Sequence, residues 1–248
     1  MKLNRTLTAL FLYGFPLFFF SNNIFAQDTA SESPFYQAAL VNAKTVYHQS
    51  FGNQSALYNG SKYAEYLFRF TEGHPFFYSA QPARGAVIYD GIRFDSVLMQ
   101  YDETKDLLVV YDYSDKIQLW SEKVEYFNLF NSDFIRVVKD SFNNSLAGTG
   151  FYNLLYKGKI CLLKKQIKTV REIITSNELQ HFADEKDHYY IKNDDGIHLV
   201  KKRKDLFKLL GDRRKEVQQF IRANKLSFRK DRQNMLTQST TYYDRLKK

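Results

Sequence analysis

Between the strand-like runs Ala86–Tyr89 and Ile92–Tyr101 stand only two residues, Asp90 and Gly91. A two-residue hairpin connection of the type I′ form needs positive φ at both central positions, and Asp-Gly is among the few pairs that accept it at low cost. The pair commits the chain to antiparallel neighbours and pins their register, because a slip of one residue would turn every side chain to the wrong face. Short apolar runs separated by polar breaks continue to Lys139. Asp102–Asp106 closes one strand. Leu107-Leu108-Val109-Val110-Tyr111 is apolar on both faces and belongs inside a sheet, and Ile117–Trp120, Val124–Phe130 and Phe134–Val138 follow. Upstream, Tyr66, Phe68 and Phe70 alternate with Glu65 and Arg69 and read as a further strand, ended by Gly73-His74-Pro75.

Asn143–Gly150, rich in Asn, Ser and Gly, reads as a loop and an internal boundary. Beyond it, strands are expected at Phe151–Tyr156 and Ile160–Lys165, and a hairpin over Tyr189–Val200 with its turn at Asp195-Gly196. The period then changes from two to 3.6. Asp205 is placed to cap a short helix ending at Gly211, and Asp212 to cap the next, with Val217, Phe220 and Ile221 as its apolar stripe. Ser227 or Asp231 starts a last helix carrying Met235, Ser239, Tyr242 and Leu246 on one face. Near the other end, Pro34–Ser50 reads as one helix with Ser33 as its N-cap. The expected fold is α+β and mainly antiparallel β: a meander sheet or partly open barrel, with one N-terminal helix and two to three C-terminal helices packed on or beside it. The 22 Phe and 18 Tyr suggest an outer-membrane barrel, but charged amphipathic helices and Lys247-Lys248 stand where such a barrel has its last strand.

The first residues have another character. Lys2 and Arg5 precede an apolar run from Leu7 to Phe20, and Ser21-Asn22-Asn23 leads to Ile24-Phe25-Ala26, a small residue before Gln27. This is the layout of a cleavable secretory signal, and the run is shorter than the roughly 20 residues that a membrane-crossing helix needs. We expect a signal peptide at 1–26 and a single exported domain at 27–248, in the periplasm or associated with the outer membrane or the exterior. Within it, 27–150 would hold a helix and a β-meander, and 151–248 hairpins and basic helices. No transmembrane segment is expected after signal cleavage. The one cysteine, Cys161, lies among Ile160, Leu162 and Leu163, so it reads as a buried strand residue, and no internal disulfide is possible.

Charge is unevenly placed. Gln27–Tyr156 holds 10 basic and 15 acidic residues, whereas Lys157–Lys248 holds 24 and 12. Export removes nucleic acid as a partner and leaves an envelope protein or an anionic polymer or lipid surface. The candidate binding residues are Lys201, Lys202, Arg203, Lys204, Lys208, Arg213, Arg214 and Lys215, eight cations in 15 residues beside only Asp205 and Asp212. No catalytic residue, metal ligand or cofactor is expected. Gly-x-Ser-x-Gly is absent, Ser61 and Ser114 lack a lysine three residues on, and the five histidines lack ligand spacing. With Asp195-Gly196 as the turn, Asn193 pairs with His198 and Ile191 with Val200, which puts His188 and His198 on opposite faces. The acidic turns Asp102–Asp106 and Asn193–Gly196 lack the ligand count of a calcium loop, and their Asp and Asn side chains are expected to satisfy turn amides.

Leu57-Tyr58-Asn59-Gly60-Ser61-Lys62-Tyr63, Gly73-His74-Pro75-Phe76-Phe77, Lys204–Leu226 with Asn224-Lys225-Leu226-Ser227-Phe228, and Tyr242-Tyr243-Asp244 resemble an uncharacterised family of exported proteins from Bacteroidota-type bacteria. The resemblance spans most of residues 27–248 and implies export into a Gram-negative envelope. It brings no activity, ligand or site residue. The expectation is therefore a non-enzymatic binding or structural protein contacting a protein or an anionic envelope component. The alternative is a carrier holding an apolar ligand inside a curved sheet, which requires a cavity of roughly 300 Å³ or more.

Overall fold

The computed structural model describes residues 34–51, 54–112, 115–139, 148–176 and 178–246. The expected signal at 1–26, the expected cap Ser33 and most of the expected loop 143–150 lie outside them. By internal contacts the chain divides into Met1–Leu40 and Val41–Lys248. Helix α1 (Pro34–Phe51) begins in the first unit, and its side chains from Phe35 to Ala43 are exposed. No helix among the described residues is long and apolar enough to cross a membrane.

In the second unit a short helix, α2 (Gln54–Leu57), precedes the strands. These are β1 (Ser61–Lys62), β2 (Ala83–Tyr89), β3 (Ile92–Asp102), β4 (Leu107–Asp112), β5 (Asp115–Gln118), β6 (Val124–Leu129), β7 (Ser132–Val137), β8 (Gly150–Lys157), β9 (Cys161–Ile174), β10 (Leu179–Asn193) and β11 (Gly196–Leu199). Among the described residues they form one open, wholly antiparallel sheet in the order β1-β5-β4-β3-β2-β6-β7-β8-β9-β10-β11. Helices α3 (Arg203–Leu209), α4 (Arg214–Ala223) and α5 (Arg232–Leu246) follow. The mainly antiparallel α+β architecture expected from the sequence is thus the one formed.

Local chemistry explains the topology. Asp90 and Gly91 have φ of 53° and 75°, and Tyr89 pairs with Ile92 across them. Phe130 and Asn131 repeat the device between β6 and β7, with φ of 50° and 57°. Leu108, Val109 and Val110 are fully buried on a strand flanked on both edges. Register shifts between Gly85 and Val87 and between Leu154 and Tyr156 mark bulges, which bend a sheet and strengthen its twist.

One apolar cluster covers β2–β8, where Tyr101, Phe127, Phe134 and Phe151 pack ring against ring at 4.6–5.9 Å. A second lies under the C-terminal helices, joining Leu162, Tyr189 and Ile191 to Leu206, Val217, Ile221, Leu236 and Tyr243. On the opposite face of the same strands, Tyr152, Leu163 and Tyr190 form a third.

Several local expectations are corrected. Tyr66–Phe70 is not a strand: it belongs to an irregular strap, Tyr63–Tyr78, whose aromatic side chains pack on one another at 5.3–5.6 Å and on His181, with ring centroids 3.8 Å apart. The β10–β11 turn is Asp194-Asp195, since Asn193 pairs with Gly196 and Ile191 with His198. Asp205 does not cap from outside α3. It sits in the first turn, and its carboxylate accepts the N–H groups of Lys201 and Lys202 at 3.0 and 2.8 Å. The residue at the α4 cap is Arg213, and the Asp212 carboxylate accepts the Tyr243 hydroxyl at 2.9 Å. Asp231 does start α5, taking the Asn234 N–H at 3.0 Å. Cys161 opens β9 as a free thiol and is half-buried rather than buried.

The acidic β3–β4 turn holds a buried polar network. Asp102 accepts the N–H groups of Thr104 and Lys105, both at 2.9 Å, and the hydroxyls of Tyr63 and Tyr66 at 2.7 and 3.0 Å. Asp106 accepts the Tyr101 hydroxyl at 2.5 Å and the Lys165 ammonium at 2.6 Å. Glu103 is wholly buried; its nearest cation, Lys168 Nζ, is 3.4 Å away and donates to the Phe76 carbonyl at 2.5 Å. Burial raises the Glu103 pKa to about 7, against the pull of Lys168. Burial likewise lowers that of Lys165, with Asp106 opposing.

Candidate anion-binding groove

The end of β11 turns at buried Val200 into the basic run, and Asp205 then binds two backbone N–H groups of that run. With its carboxylate used on the backbone, Asp205 holds Lys201–Lys204 at the start of α3, all four side chains being exposed. Facing them is the α4–α5 connection. Two residues past the end of α4, Lys225 has φ of 52°, and Ser227 Oγ accepts the Lys230 N–H at 3.4 Å before Asp231 opens α5. Leu226 and Phe228 pack against the second core, which fixes the direction in which their neighbours project.

Between these segments lies a surface groove of about 570 Å³ lined by Lys201, Lys202, Arg203, Leu226, Ser227, Phe228, Arg229 and Arg232. Five of the eight are cations, two are apolar, and none is acidic. The Arg232 guanidinium lies 4.7 Å from the Phe228 ring centroid and 6.0 Å from that of Tyr189, so the aromatic faces orient it. Among the described residues, no carboxylate oxygen lies within 4 Å of the side-chain nitrogens of Lys201, Lys202, Arg203, Arg229 or Arg232. The field reaches His188, whose pKa is lowered by burial first and then by Lys186, Lys201 and Arg232.

The eight cations singled out in the sequence thus divide. Lys201, Lys202 and Arg203 line the groove. Lys204 is exposed beside it, and Lys208 lines a different depression with Asp195, His198 and Asp205. Arg213 pairs with Glu216 at 3.3 Å, Arg214 approaches the Phe207 ring from which Arg203 lies 5.2 Å away, and Lys215 is exposed on α4. Sequence reasoning misses Arg229 and Arg232. Their spacing of three around the α5 cap is the only signal, and nothing local joins them to the run at Lys201–Arg203. His198 bonds Asn193 at 3.1 Å, and among the described residues no three His, Cys, Asp or Glu side chains gather as metal ligands. Compared with known proteins, the chain matches no family model, no curated protein and no solved structure.

Proposed function

We propose that this is an exported, non-enzymatic binding protein of a bacterial envelope, and that the groove between Lys201–Arg203 and Leu226–Arg232 holds an anionic envelope surface. The observation that carries the reading is the composition of that groove, five cations around two apolar side chains with no acidic lining residue. Such crowding costs self-repulsion, and an anionic ligand relieves it. Three of the five are arginines, whose planar donors match carboxylate or phosphate two bonds at a time. Leu226 and Phe228 add an apolar floor suited to the glycerol and acyl portion beneath a lipid phosphate. The amino-terminal basic and apolar runs support export.

The test is co-sedimentation of the protein with vesicles of phosphatidylglycerol and, separately, of phosphatidylcholine. Each cation near an anionic surface contributes about 1 kcal/mol, so Lys201→Gln with Lys202→Gln and Arg203→Gln should weaken binding to phosphatidylglycerol about a hundredfold. The three side chains are exposed, so the thermal midpoint should hold to within a few degrees. Binding of the wild type should collapse toward 1 M salt, where the Debye length falls to about 3 Å. Equal binding to both lipids, or an unchanged triple variant, refutes the reading.

A further inference from the structure

The strap carries a feature that the anion groove does not use. Tyr78 is 76 % exposed and has φ of 58°, at the apex of a three-residue turn in which the Ser79 N–H donates to the Phe77 carbonyl at 2.6 Å. A turn of this kind with positive φ is the rare and strained form, more so for an aromatic residue. It persists because its flanks are fixed. The Phe77 N–H bonds the Tyr101 carbonyl at 2.8 Å, Lys168 holds the Phe76 carbonyl, and Gln100 Nε2 holds the Ala80 carbonyl at 2.8 Å. Phe77 packs edge-on against Phe134 at 5.0 Å, anchoring the turn in the core. The Tyr78 ring meets Phe130 at 4.9 Å, and Phe130 itself has positive φ. Two strained positions therefore hold one aromatic surface outward, and backbone strain that is over-determined in this way concentrates at functional sites.

Beside that surface runs a groove of about 460 Å³, within the roughly 300–1,000 Å³ of small-molecule sites, reaching Tyr78, His74, Gln166 and Glu185. Its polar groups divide by whether they are already used. Lys164 is paired with Asp187 at 3.0 Å, and Lys168 with Glu103 and the Phe76 carbonyl. His74 Nδ1 is sealed from solvent and, among the described residues, has no hydrogen-bond partner. Among the described residues, half-buried Gln166 makes no hydrogen bond from its amide, and exposed Glu185 has no cation within 4 Å. Burial, then Lys168, lowers the His74 pKa and so favours the neutral imidazole, which can both donate and accept. The cations are committed inward, and the free groups at the surface of the groove are the Gln166 amide and the Glu185 carboxylate.

We infer that this groove is a second binding site, separate from the anion groove, and that it takes the ring of a neutral sugar. The apolar C–H face of a pyranose stacks on an exposed aromatic ring, while its hydroxyls need a mixture of donors and acceptors around the edge. Tyr78 supplies the platform, Gln166 donates and accepts, and Glu185 accepts. A partner bearing net negative charge gains little here, since Lys164 is paired with Asp187, the Lys168 ammonium is turned onto the Phe76 carbonyl, and Glu185 repels it.

Maltohexaose, cellohexaose and chitohexaose, each titrated to about 10 mM into the full protein by calorimetry, test this. At least one should bind with a Kd below about 1 mM. Tyr78→Asn should weaken that binding tenfold or more, and because Asn tolerates positive φ its thermal midpoint should hold or rise. Gln166→Ala with Glu185→Gln, which leaves the strap untouched, should weaken it comparably. The triple variant at Lys201, Lys202 and Arg203 should bind the sugar as wild type does, which separates failure here from failure of the anion reading. Absence of binding to all three sugars, wild-type affinity in Tyr78→Asn, or loss in the basic triple variant overturns the inference.

Discussion

Asp106→Asn should lower the stability of the protein by about 3 kcal/mol, and the thermal midpoint by about 6–12 °C for a chain of this size. Lys165 is a buried lysine that reaches two oxygens besides Asp106: the Phe151 carbonyl at 2.9 Å and the Tyr101 hydroxyl at 3.4 Å. Among the described residues, Asp106 alone supplies negative charge at contact distance, 2.6 Å from the ammonium. Removing it strands a cation in the interior, and breaking such a pair from one side costs more than the pair contributed. Asparagine suits the test because position 106 has φ of 57°, which Asn tolerates, so backbone strain does not contaminate the result. If the stranded charge is the cause, Lys165→Met in the same background should recover most of the loss. Additive losses in the double variant would instead show that the two side chains act through packing.

A second large effect depends on pH. The Glu103 carboxyl has its pKa raised to about 7 by burial, so the folded protein favours the protonated form more than the unfolded chain does. Stability from this group is therefore fully present below its unfolded value near 4.5 and is lost as pH rises through 7. The shift corresponds to about 3 kcal/mol. Glu103→Gln keeps shape and an acceptor for Lys168 but cannot ionise. The stability difference between wild type and variant, measured by urea denaturation from about pH 4.5 to 8, should change by about 2–3 kcal/mol in favour of the variant over that window. A difference that stays flat with pH would mean that Lys168 compensates the buried carboxylate completely.

The parts of the fold that can be read from the sequence are those where one local rule decides. Asp90-Gly91 needs positive φ and obtains it, and five consecutive apolar residues at 107–111 admit only an interior strand. Where a segment's environment is set by distant residues, the sequence pattern misleads. The distal halves of β9 and β10 pair from Lys165 to Ile174 and from Leu179 to His188 without a third main strand alongside; the strap covers His181 and Lys168 there, most of the ribbon beyond them is exposed, and no alternation marks it. Tyr66, Phe68 and Phe70 alternate as a strand would, but their rings find His181 and one another rather than a sheet face. The β10–β11 turn lies one residue from its expected place because Asp194, Asp195 and Gly196 are all turn formers, and composition alone does not choose among them. At the site, contiguity shows Lys201–Arg203, while Arg229 and Arg232 join them only through the packing of Leu226 and Phe228 on the second core.

The strap imposes an order on folding. Thr71 donates its N–H to the His181 carbonyl at 2.7 Å, Ala183 donates to the Glu72 carbonyl at 3.1 Å, and Lys168 reaches Phe76. Each contact closes a loop of roughly a hundred residues, an entropic cost that must be met before the contact yields anything. A chain emerging amino end first presents Tyr66, Phe68 and Phe70 long before β9 and β10 exist to receive them. During that interval three aromatic side chains are uncovered, and such surface binds other nascent chains as readily as its own later strands. A holding chaperone that grips residues 63–78 until β10 is complete would shorten that exposure without altering a single native contact.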